Sequence, residues 1–341
     1  MLDFFPFFRY NSRSAFGKAG GPYAATENKN LMKKVLSPLY LLIAALIWGL
    51  SFSAQKSAGA LPVFVLNAAR GLTASAFLFL MIPVFDLLTK SGRHLFGKHG
   101  PDFNRSELLG GLVCGALLFL ANGAQQLGIN GTDAFTGATA GKAAFISALY
   151  VVIVPIYGIF LKKPVGARVW CSVALAVVGS FLLSYNKESG FGIADLILLG
   201  CAAFYALHIT VIDRFTPFVD GVRLSCIQFF TAGALSALFA LILGSPIDFS
   251  LIGENIFPIL VLGIGASGIA YTAQIFGQRD TPPAVASLIL SLESVFGVIG
   301  AAIFLGETMT PRETIGCTVV FLSVLLAQVD FKALFSRKKE K

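Results

Sequence analysis

One carboxylate in a strongly apolar stretch is the first candidate for chemistry in this sequence. Glu293 lies in the middle of "PAVASLILSLESVFGVIGAAIFL", residues 283–305, about 15 Å from one end if the stretch is a helix. Ionisable groups in such segments are costly to bury and are therefore functional candidates. A carboxylate in this position either pairs with a cation or exchanges a proton. Arg70 and Lys142, which also lie in apolar stretches, could neutralise Glu293, so a structural and a functional role both stay open.

Amides in a repeated octet are the second candidate. The stretch "ANGAQQLG" (121–128) shares Ala, Ala, Gln and Gly in register with "AYTAQIFG" (270–277), which aligns Gln125 with Gln274 and Asn122 with Tyr271. Hydrogen bonding at helix ends would explain the two Gln residues. The functional alternative is that the octets line a polar cavity.

Aromatic and imidazole side chains complete the candidate set. Trp and Tyr also anchor helices at membrane interfaces, so each is weak support by itself. We predict a small-molecule binding site formed by Trp48, Asn122, Gln125, Lys142, Tyr150, Tyr205, His208, Tyr271, Gln274 and Glu293.

The other potentially reactive residues of the sequence argue against an enzyme. Three histidines (His94, His99, His208) and one deep carboxylate are too few for convergent acid–base or metal chemistry. The five cysteines lack the spacing of a zinc site or redox motif. The stretch "GATAGKA" (137–143) has the wrong spacing for a phosphate-binding loop. We therefore expect no catalytic residues, no cofactor and no bound metal.

The elements that must position the candidates are membrane-spanning helices. The chain of 341 residues is 56% hydrophobic and 13% charged, with a mean hydropathy of +0.78, whereas soluble domains carry about a quarter charged residues. Apolar runs of 18 or more residues indicate membrane-spanning helices. Ten candidate spans cover about 36–57, 62–83, 106–127, 136–160, 167–184, 191–212, 220–243, 256–277, 283–305 and 312–330.

The distribution of basic residues predicts the orientation of these spans. Lys and Arg concentrate in the segments on one side, and only Lys187 and Arg312 lie on the other. Cytoplasmic loops retain Lys and Arg, so both termini are predicted to be cytoplasmic. The net charge of +8 is thus a topology signal, with some attraction to membrane lipid, and no nucleic-acid partner is expected. Residues 1–34 and 332–341 are predicted to be cytoplasmic tails, of which 1–31 are expected to be dispensable.

Two halves of the chain are similar. Residues 146–168 align without gaps to 290–312, matching Ser147 with Ser291 and "IFL" with "IFL". The predicted units are 35–185 and 190–331, each with five spans, and an odd number of spans gives two copies opposite orientations. The first copy turns with Lys162 and Lys163 and the second with Gly306 and Glu307, as inversion requires. The predicted fold class is an all-α membrane protein with ten transmembrane helices as two inverted five-helix repeats.

The motifs in these repeats resemble those of drug/metabolite transporters of the EamA type. The likeness is carried by "AALIWGLSF" (44–52), "LESVFGVIGAAIFLGE" (292–307) and the "IGCTVVFLSVLL" that begins at Ile315, and covers nearly all of the chain after residue 34. One departure is Ser294, where many second repeats have Pro, while the first copy has a later Pro155. The resemblance implies the movement of small metabolites across a cytoplasmic membrane, often as efflux.

The predicted function is therefore secondary transport. Inverted repeats are typical of transporters whose substrate site lies between the repeats and which work by alternating access. We expect an exporter of a small-molecule metabolite in the bacterial cytoplasmic (inner) membrane, acting as a monomer or weak homodimer. A membrane-embedded enzyme and a channel without alternating access are the alternatives, although the sequence has no selectivity-filter loop.

Overall fold

The computed structural model describes residues 23–89, 103–138, 140–184, 191–305 and 309–328. Most of both predicted tails, together with the loop positions 90–102 that carry His94 and His99, lie outside the described residues. The account below concerns only the described part of the chain.

The structure is almost entirely helical, in keeping with the apolar runs in the sequence. The first half contains α1 (Tyr23–Ser57), α2 (Val63–Thr89), α3 (Arg105–Asn130), α4 (Ala140–Ala148), α5 (Tyr150–Phe160) and α6 (Ala167–Ser184). The second half contains α7 (Ile193–Phe215), α8 (Gly221–Ile242), α9 (Phe249–Glu254), α10 (Ile256–Leu260), a π-helical segment (Val261–Ala270), α11 (Tyr271–Gln278), α12 (Pro283–Leu290), α13 (Glu293–Leu305) and α14 (Pro311–Gln328). Two-residue strands β1 (Gly131–Thr132) and β2 (Phe135–Thr136) pair antiparallel after α3.

Eight helical stretches among the described residues are long and apolar enough to cross a membrane. They correspond to α1, α2, α3, α4 with α5, α7, α8, the segment from α10 to α11, and α12 with the start of α13. The apolar part of α6, Ala167–Leu183, is shorter, and α14 is not among the eight. The chain is thus a multi-pass membrane protein, but within the described residues two of the ten predicted spans do not reach this length and hydropathy.

Equivalent helices of the two halves pack against each other through glycines. The second helices, α2 and α8, pack together, and so do the last helices, α6 and α14. A Cβ atom on Gly71 would lie 2.9 Å from the Cα of Gly233, and one on Gly179 would lie 2.9 Å from the carbonyl oxygen of Gly316. Small residues at these crossings let the backbones approach closely, as is common between membrane helices.

The glycine shared by the two octets has the same role in both halves. A Cβ on Gly128 of α3 would lie 2.6 Å from Leu198 Cγ of α7. A Cβ on Gly277 of α11 would lie 2.5 Å from Leu41 Cγ of α1. The octets therefore make matching contacts, each with the first helix of the opposite half.

Two helices are interrupted at equivalent places. The candidate span 136–160 is not one helix, because α4 ends at Ala148 and α5 begins after a turn at Leu149. In the second half α12 ends at Leu290, and α13 begins at Glu293. The alignment that pairs Ser147 with Ser291 puts the two interruptions within two residues of each other in the repeat. Interrupted helices are common at the substrate sites of secondary transporters.

Serine side chains, rather than proline, accompany these interruptions. Ser291 Oγ donates to Leu288 O at 2.7 Å, and Ser294 Oγ donates to Ser291 O at 2.8 Å. In the first half Ser147 Oγ donates to Ala143 O at 2.7 Å. Serine hydroxyls that bond to backbone carbonyls in this way bend helices. Pro155 lies inside α5 and is not at the break.

Candidate functional site

A cavity lies where the interrupted helices meet the first helices of the two halves. Its empty volume is about 520 Å³, including the part open to solvent. The cavity is lined by Trp48, Ser51, Phe52, Gln55, Arg70, Gln125, Tyr150, Tyr205, His208, Ile209, Ala266, Tyr271, Gln274 and Glu293.

Eight of the ten predicted site residues line this one cavity. The other two do not. Asn122 accepts a hydrogen bond from the Tyr205 hydroxyl at 2.7 Å and so positions a residue of the lining. Lys142 forms an ion pair with Asp195, with 2.7 Å between Nζ and Oδ2, where α4 meets α7.

The helix interruptions bring Glu293 and Tyr150 together. Tyr150 is the first residue of α5, and Glu293 is the first residue of α13. The Tyr150 hydroxyl donates to Glu293 Oε1 at 3.2 Å, and both side chains are buried. A carboxylate at a helix N-terminus is also favoured by the helix dipole. The two breaks thus place an acid and a phenol from opposite halves side by side.

The cation that could neutralise Glu293 is not in contact with it. Lys142 is occupied by Asp195, as described above. Arg70 lines the same cavity, but its Nε donates to Ser267 Oγ at 3.3 Å. In the ranges that the structure describes, no Lys, Arg or His nitrogen lies within 4.0 Å of a Glu293 carboxylate oxygen. The proposed pairing of Glu293 with Arg70 or Lys142 is not formed in this conformation.

Aromatic rings form the wall between the two octets. Trp48 of α1 packs edge-to-face on Tyr271 of the second octet, with ring centroids 4.6 Å apart. Tyr205 of α7 contacts the equivalent residue of the first octet, Asn122, through the hydrogen bond given above. Tyr150 and Tyr205 are also edge-to-face, at 6.5 Å. Each half thus supplies an aromatic residue from its first helix that meets the octet of the other half.

The amides of the two octets are bonded differently. Gln55 Nε2 donates to Gln125 Oε1 at 3.2 Å and to Gln126 Oε1 at 2.9 Å, which ties α1 to α3. In the second octet Gln274 Nε2 donates to Gln278 Oε1 at 2.8 Å, within α11. Gln274 Oε1 is buried and has no hydrogen-bond partner among the described residues. Gln55, Gln125 and Gln126 therefore form a hydrogen-bonded network between α1 and α3. In the second octet, by contrast, the Oε1 atom of Gln274 receives no hydrogen bond from the described residues.

A π-helical segment contributes Ala266 to the lining of the cavity. Trp48 Nε1 donates to Ala266 O at 2.8 Å, and Arg70 bonds to Ser267, so α1 and α2 are both tied to this segment. The wider π-helical turn frees backbone carbonyls, and π-helical turns are frequent at functional sites. His208 is held by Gln228 Oε1 of α8, 3.2 Å from its Nε2.

Sequence reasoning missed several residues of this region. Gln55 lines the cavity. Like Gln125, it is an amide in an apolar run, so the same sequence signal could have identified it. Asp86 lies in α2, because that helix continues to Thr89 rather than ending near residue 83. It forms a buried bidentate pair with Arg223, with Nη1–Oδ1 and Nη2–Oδ2 distances of 2.8 and 2.7 Å. No sequence signal indicated this pair.

Comparisons with known proteins agree with the two-part organisation. A sequence model of the EamA-like transporter family matches residues 36–185 and again residues 192–328. A protein named "Uncharacterized transporter" from Archaeoglobus fulgidus is 29% identical over 300 residues, which cover 87% of each chain. Another of that name, from Haemophilus influenzae, is 28% identical over 144 residues, covering 40% of this chain and 84% of the relative.

The fold also has a counterpart among solved structures. A crystal structure matches with a TM-score of 0.67 at 19% identity, over 89% of this chain and 99% of the other. At this identity the match supports the fold alone.

Proposed function

The chain belongs to the EamA-like transporter family, and from that premise we propose that it carries a small metabolite across the membrane by alternating access. The observation that carries the proposal is the cavity to which both matched halves contribute polar and aromatic side chains. Secondary transporters with repeated halves bind substrate between the halves, next to interrupted helices. The interruptions before Tyr150 and Glu293 fit that arrangement.

The proposed membrane topology has ten spans in two inverted repeats, 35–185 and 190–331, with both termini cytoplasmic. In it α6 and α14 complete the two sets of five. Their support is that they pack on each other through Gly179 and Gly316, as α2 and α8 do through Gly71 and Gly233. Helices in such equivalent positions are expected to be equally embedded. The proposed location is the bacterial cytoplasmic membrane, and the proposed direction is export.

Within the proposed site, Glu293 has the central role. It lies at an interruption, it lines the cavity, and a tyrosine of the opposite half donates to one of its oxygens. A carboxylate in this position can bind a proton or a donor group of the substrate in different states of the cycle. Of the remaining proposed site residues, four aromatic residues shape the cavity (Trp48, Tyr150, Tyr205, Tyr271), two supply amides (Gln125, Gln274), and His208 supplies an imidazole. Asn122 supports the lining through Tyr205, and Lys142 acts through its ion pair with Asp195 of α7.

The test is a carrier assay on the purified full chain. Ligands are first identified as metabolites that raise the thermal unfolding temperature, since binding to the folded state stabilises it. Each ligand is then measured for saturable counterflow in proteoliposomes. Glu293→Gln is expected to abolish counterflow, while Glu254→Gln, an exposed acid in α9, is expected to leave it unchanged.

Two results would contradict the proposal. Flux that rises linearly with ligand concentration and shows no counterflow would indicate a channel. A Glu293→Gln protein with full transport at every pH would exclude Glu293 from the mechanism.

A further inference from the structure

Side chains of different chemistry lie at the two ends of the cavity. In the proposed topology α1 and α3 end on the outer side of the membrane, whereas α7 and α11 end on the cytoplasmic side. The outer bridge consists of Gln55, Gln125 and Gln126, and the inner cluster contains Ile212 and Ile275. We propose that the outer bridge is a gate of exchangeable hydrogen bonds and the inner cluster an apolar seal, so that the cavity opens outward more readily. This inference rests on the proposed alternating access and adds the residues that control it.

The outer bridge joins α1 to α3 through amide side chains. Gln55 Nε2 donates to both Gln125 Oε1 and Gln126 Oε1, at 3.2 and 2.9 Å. Gln126 Nε2 then donates to Asn130 Oδ1 at 2.8 Å, and Asn130 Nδ2 donates to the carbonyl oxygen of Gly59 at 3.3 Å. Gln55 and Gln125 also line the cavity, so the bridge forms part of its wall. Water can replace each of these hydrogen bonds at a small net cost.

The inner cluster occupies the equivalent positions of the other half. The aligned octets pair Gln126 with Ile275. The first helices align through the leucines that contact the octet glycines, and in that register Gln55 corresponds to Ile212. A pair of amides that bridges two helices in one half is therefore a pair of isoleucines in the other.

The inner cluster can be opened only by exposing apolar surface. Ile212 of α7 and Ile275 of α11 are both buried and belong to one cluster with Cys114, Val219 and Leu224. Neither isoleucine is part of the cavity lining. Separating α7 from α11 at this level would transfer their side chains into water, which is unfavourable. Water has no hydrogen bond to offer these side chains in exchange.

One hydrogen bond between helices accompanies the inner cluster. Gln278 Nε2 donates to the carbonyl oxygen of Ile209 at 2.9 Å and so joins α11 to α7. Gln274 in turn donates to Gln278 Oε1. Closure on the inner side thus combines a hydrogen bond with apolar burial, whereas the outer bridge relies on amide hydrogen bonds. The inner side is accordingly expected to be the harder one to open.

The test measures how readily a cysteine in the cavity is reached from each side of the membrane. The five native cysteines are replaced by alanine, and Ser51→Cys places a reporter on α1 in the cavity lining. The full chain is labelled with a charged, membrane-impermeant thiol reagent in right-side-out and in inverted membrane vesicles. Labelling is expected to be faster from the outside, because the inner cluster is the stronger barrier.

The main comparison exchanges the residues of the two gates. Gln55→Ile with Gln126→Ile copies the inner pair onto the outer side. It should slow labelling from the outside by about tenfold or more, the factor that burial of one aliphatic side chain provides. Ile212→Gln with Ile275→Gln copies the amides onto the inner side and should raise labelling from the cytoplasmic side by a similar factor.

Control variants make the same changes at exposed positions. Gln328→Ile at the end of α14 and Ile242→Gln at the end of α8 should alter neither labelling rate. If an exchanged gate fails to fold, Gln55→Ala provides the answer. It removes only the donor that bridges α1 and α3, and it should raise the labelling rate from the outside.

Two outcomes separate the gates from the transport function. Equal labelling of the Ser51→Cys protein from both sides would overturn the outer gate even if a ligand shows counterflow. So would an outside labelling rate that changes neither in Gln55→Ala nor in the double variant of Gln55→Ile with Gln126→Ile. An outside rate that follows these substitutions, with no labelling from the cytoplasmic side in any variant, would support the outer gate while contradicting alternating access.

Discussion

The buried pair of Asp86 and Arg223 allows one prediction with a defined magnitude. Arg223 is 1% exposed, and both of its terminal nitrogens bond to the Asp86 carboxylate, which joins the end of α2 to the start of α8. Asp86→Asn removes the negative charge and leaves the arginine buried. Breaking a buried ion pair from one side costs about 3–5 kcal/mol. Asp220 lies 3.9 Å from Arg223 Nη1 and is partly exposed, so it compensates in part. We therefore expect Asp86→Asn to lower the free energy of unfolding by about 3 kcal/mol, near the lower end of this range.

The assay is equilibrium unfolding of the purified protein in mixed micelles, followed by helical circular dichroism as SDS is increased. The matched control is Lys163→Ala, which breaks an ion pair of similar length, 2.9 Å, whose lysine is 66% exposed. Exposed pairs contribute about 0–1 kcal/mol. The double variant Asp86→Leu with Arg223→Met should recover much of the loss, since it replaces both members of the buried ion pair with apolar groups.

The reasoning would be refuted if Asp86→Asn lost no more free energy of unfolding than Lys163→Ala. That result would mean that water or lipid headgroups solvate Arg223 when its partner is neutral. A double variant as unstable as Asp86→Asn would instead point to lost packing, because the charge would no longer be present.

Two further predictions use the same protein. Gly71→Ala is expected to lower the free energy of unfolding by about 1–3 kcal/mol, because the added methyl group overpacks the contact with Gly233. The control Gly200→Ala, with no atom within 4 Å of the added Cβ, should be neutral or raise the free energy of unfolding by up to about 1 kcal/mol. A Gly71→Ala protein as stable as the wild type would show that α2 and α8 can separate at this contact. Single cysteines placed between α2 and α3 should be labelled only from the cytoplasmic side, and those placed between α8 and α10 only from outside. Labelling of both from the same side would contradict the inverted topology.

The helices and the repeat could be predicted because they depend on composition and on local sequence. Apolar runs of the required length identify helices whatever they pack against, and the octets revealed the equivalence of α3 and α11. The same octets led to the cavity, because a Gln in an apolar run is expensive unless it is bonded, as Gln125 is, or serves a ligand.

The exact contacts could not be predicted, because they depend on helix rotation and on where helices break. Lys142 lies in the first turn of α4, since that helix begins at Ala140, and there it meets Asp195 instead of Glu293. The contact between Tyr150 and Glu293 requires both interruptions, and these are accompanied by serine hydroxyls that have no distinctive sequence pattern. Asp86 was missed for a simpler reason. A span defined by hydropathy ends before the first charged residue, whereas α2 itself continues to Thr89.

The pairing of equivalent helices has a consequence for how the two halves are joined. In the proposed arrangement of two inverted repeats, the packing of α2 on α8 and of α6 on α14 resembles an isologous dimer interface, in which one surface meets its equivalent across a two-fold axis. The connection between α6 and α7 then mainly raises the effective concentration of one half around the other. Two fragments, one ending after α6 and the other beginning before α7, are accordingly expected to reassemble when they are made together as separate chains.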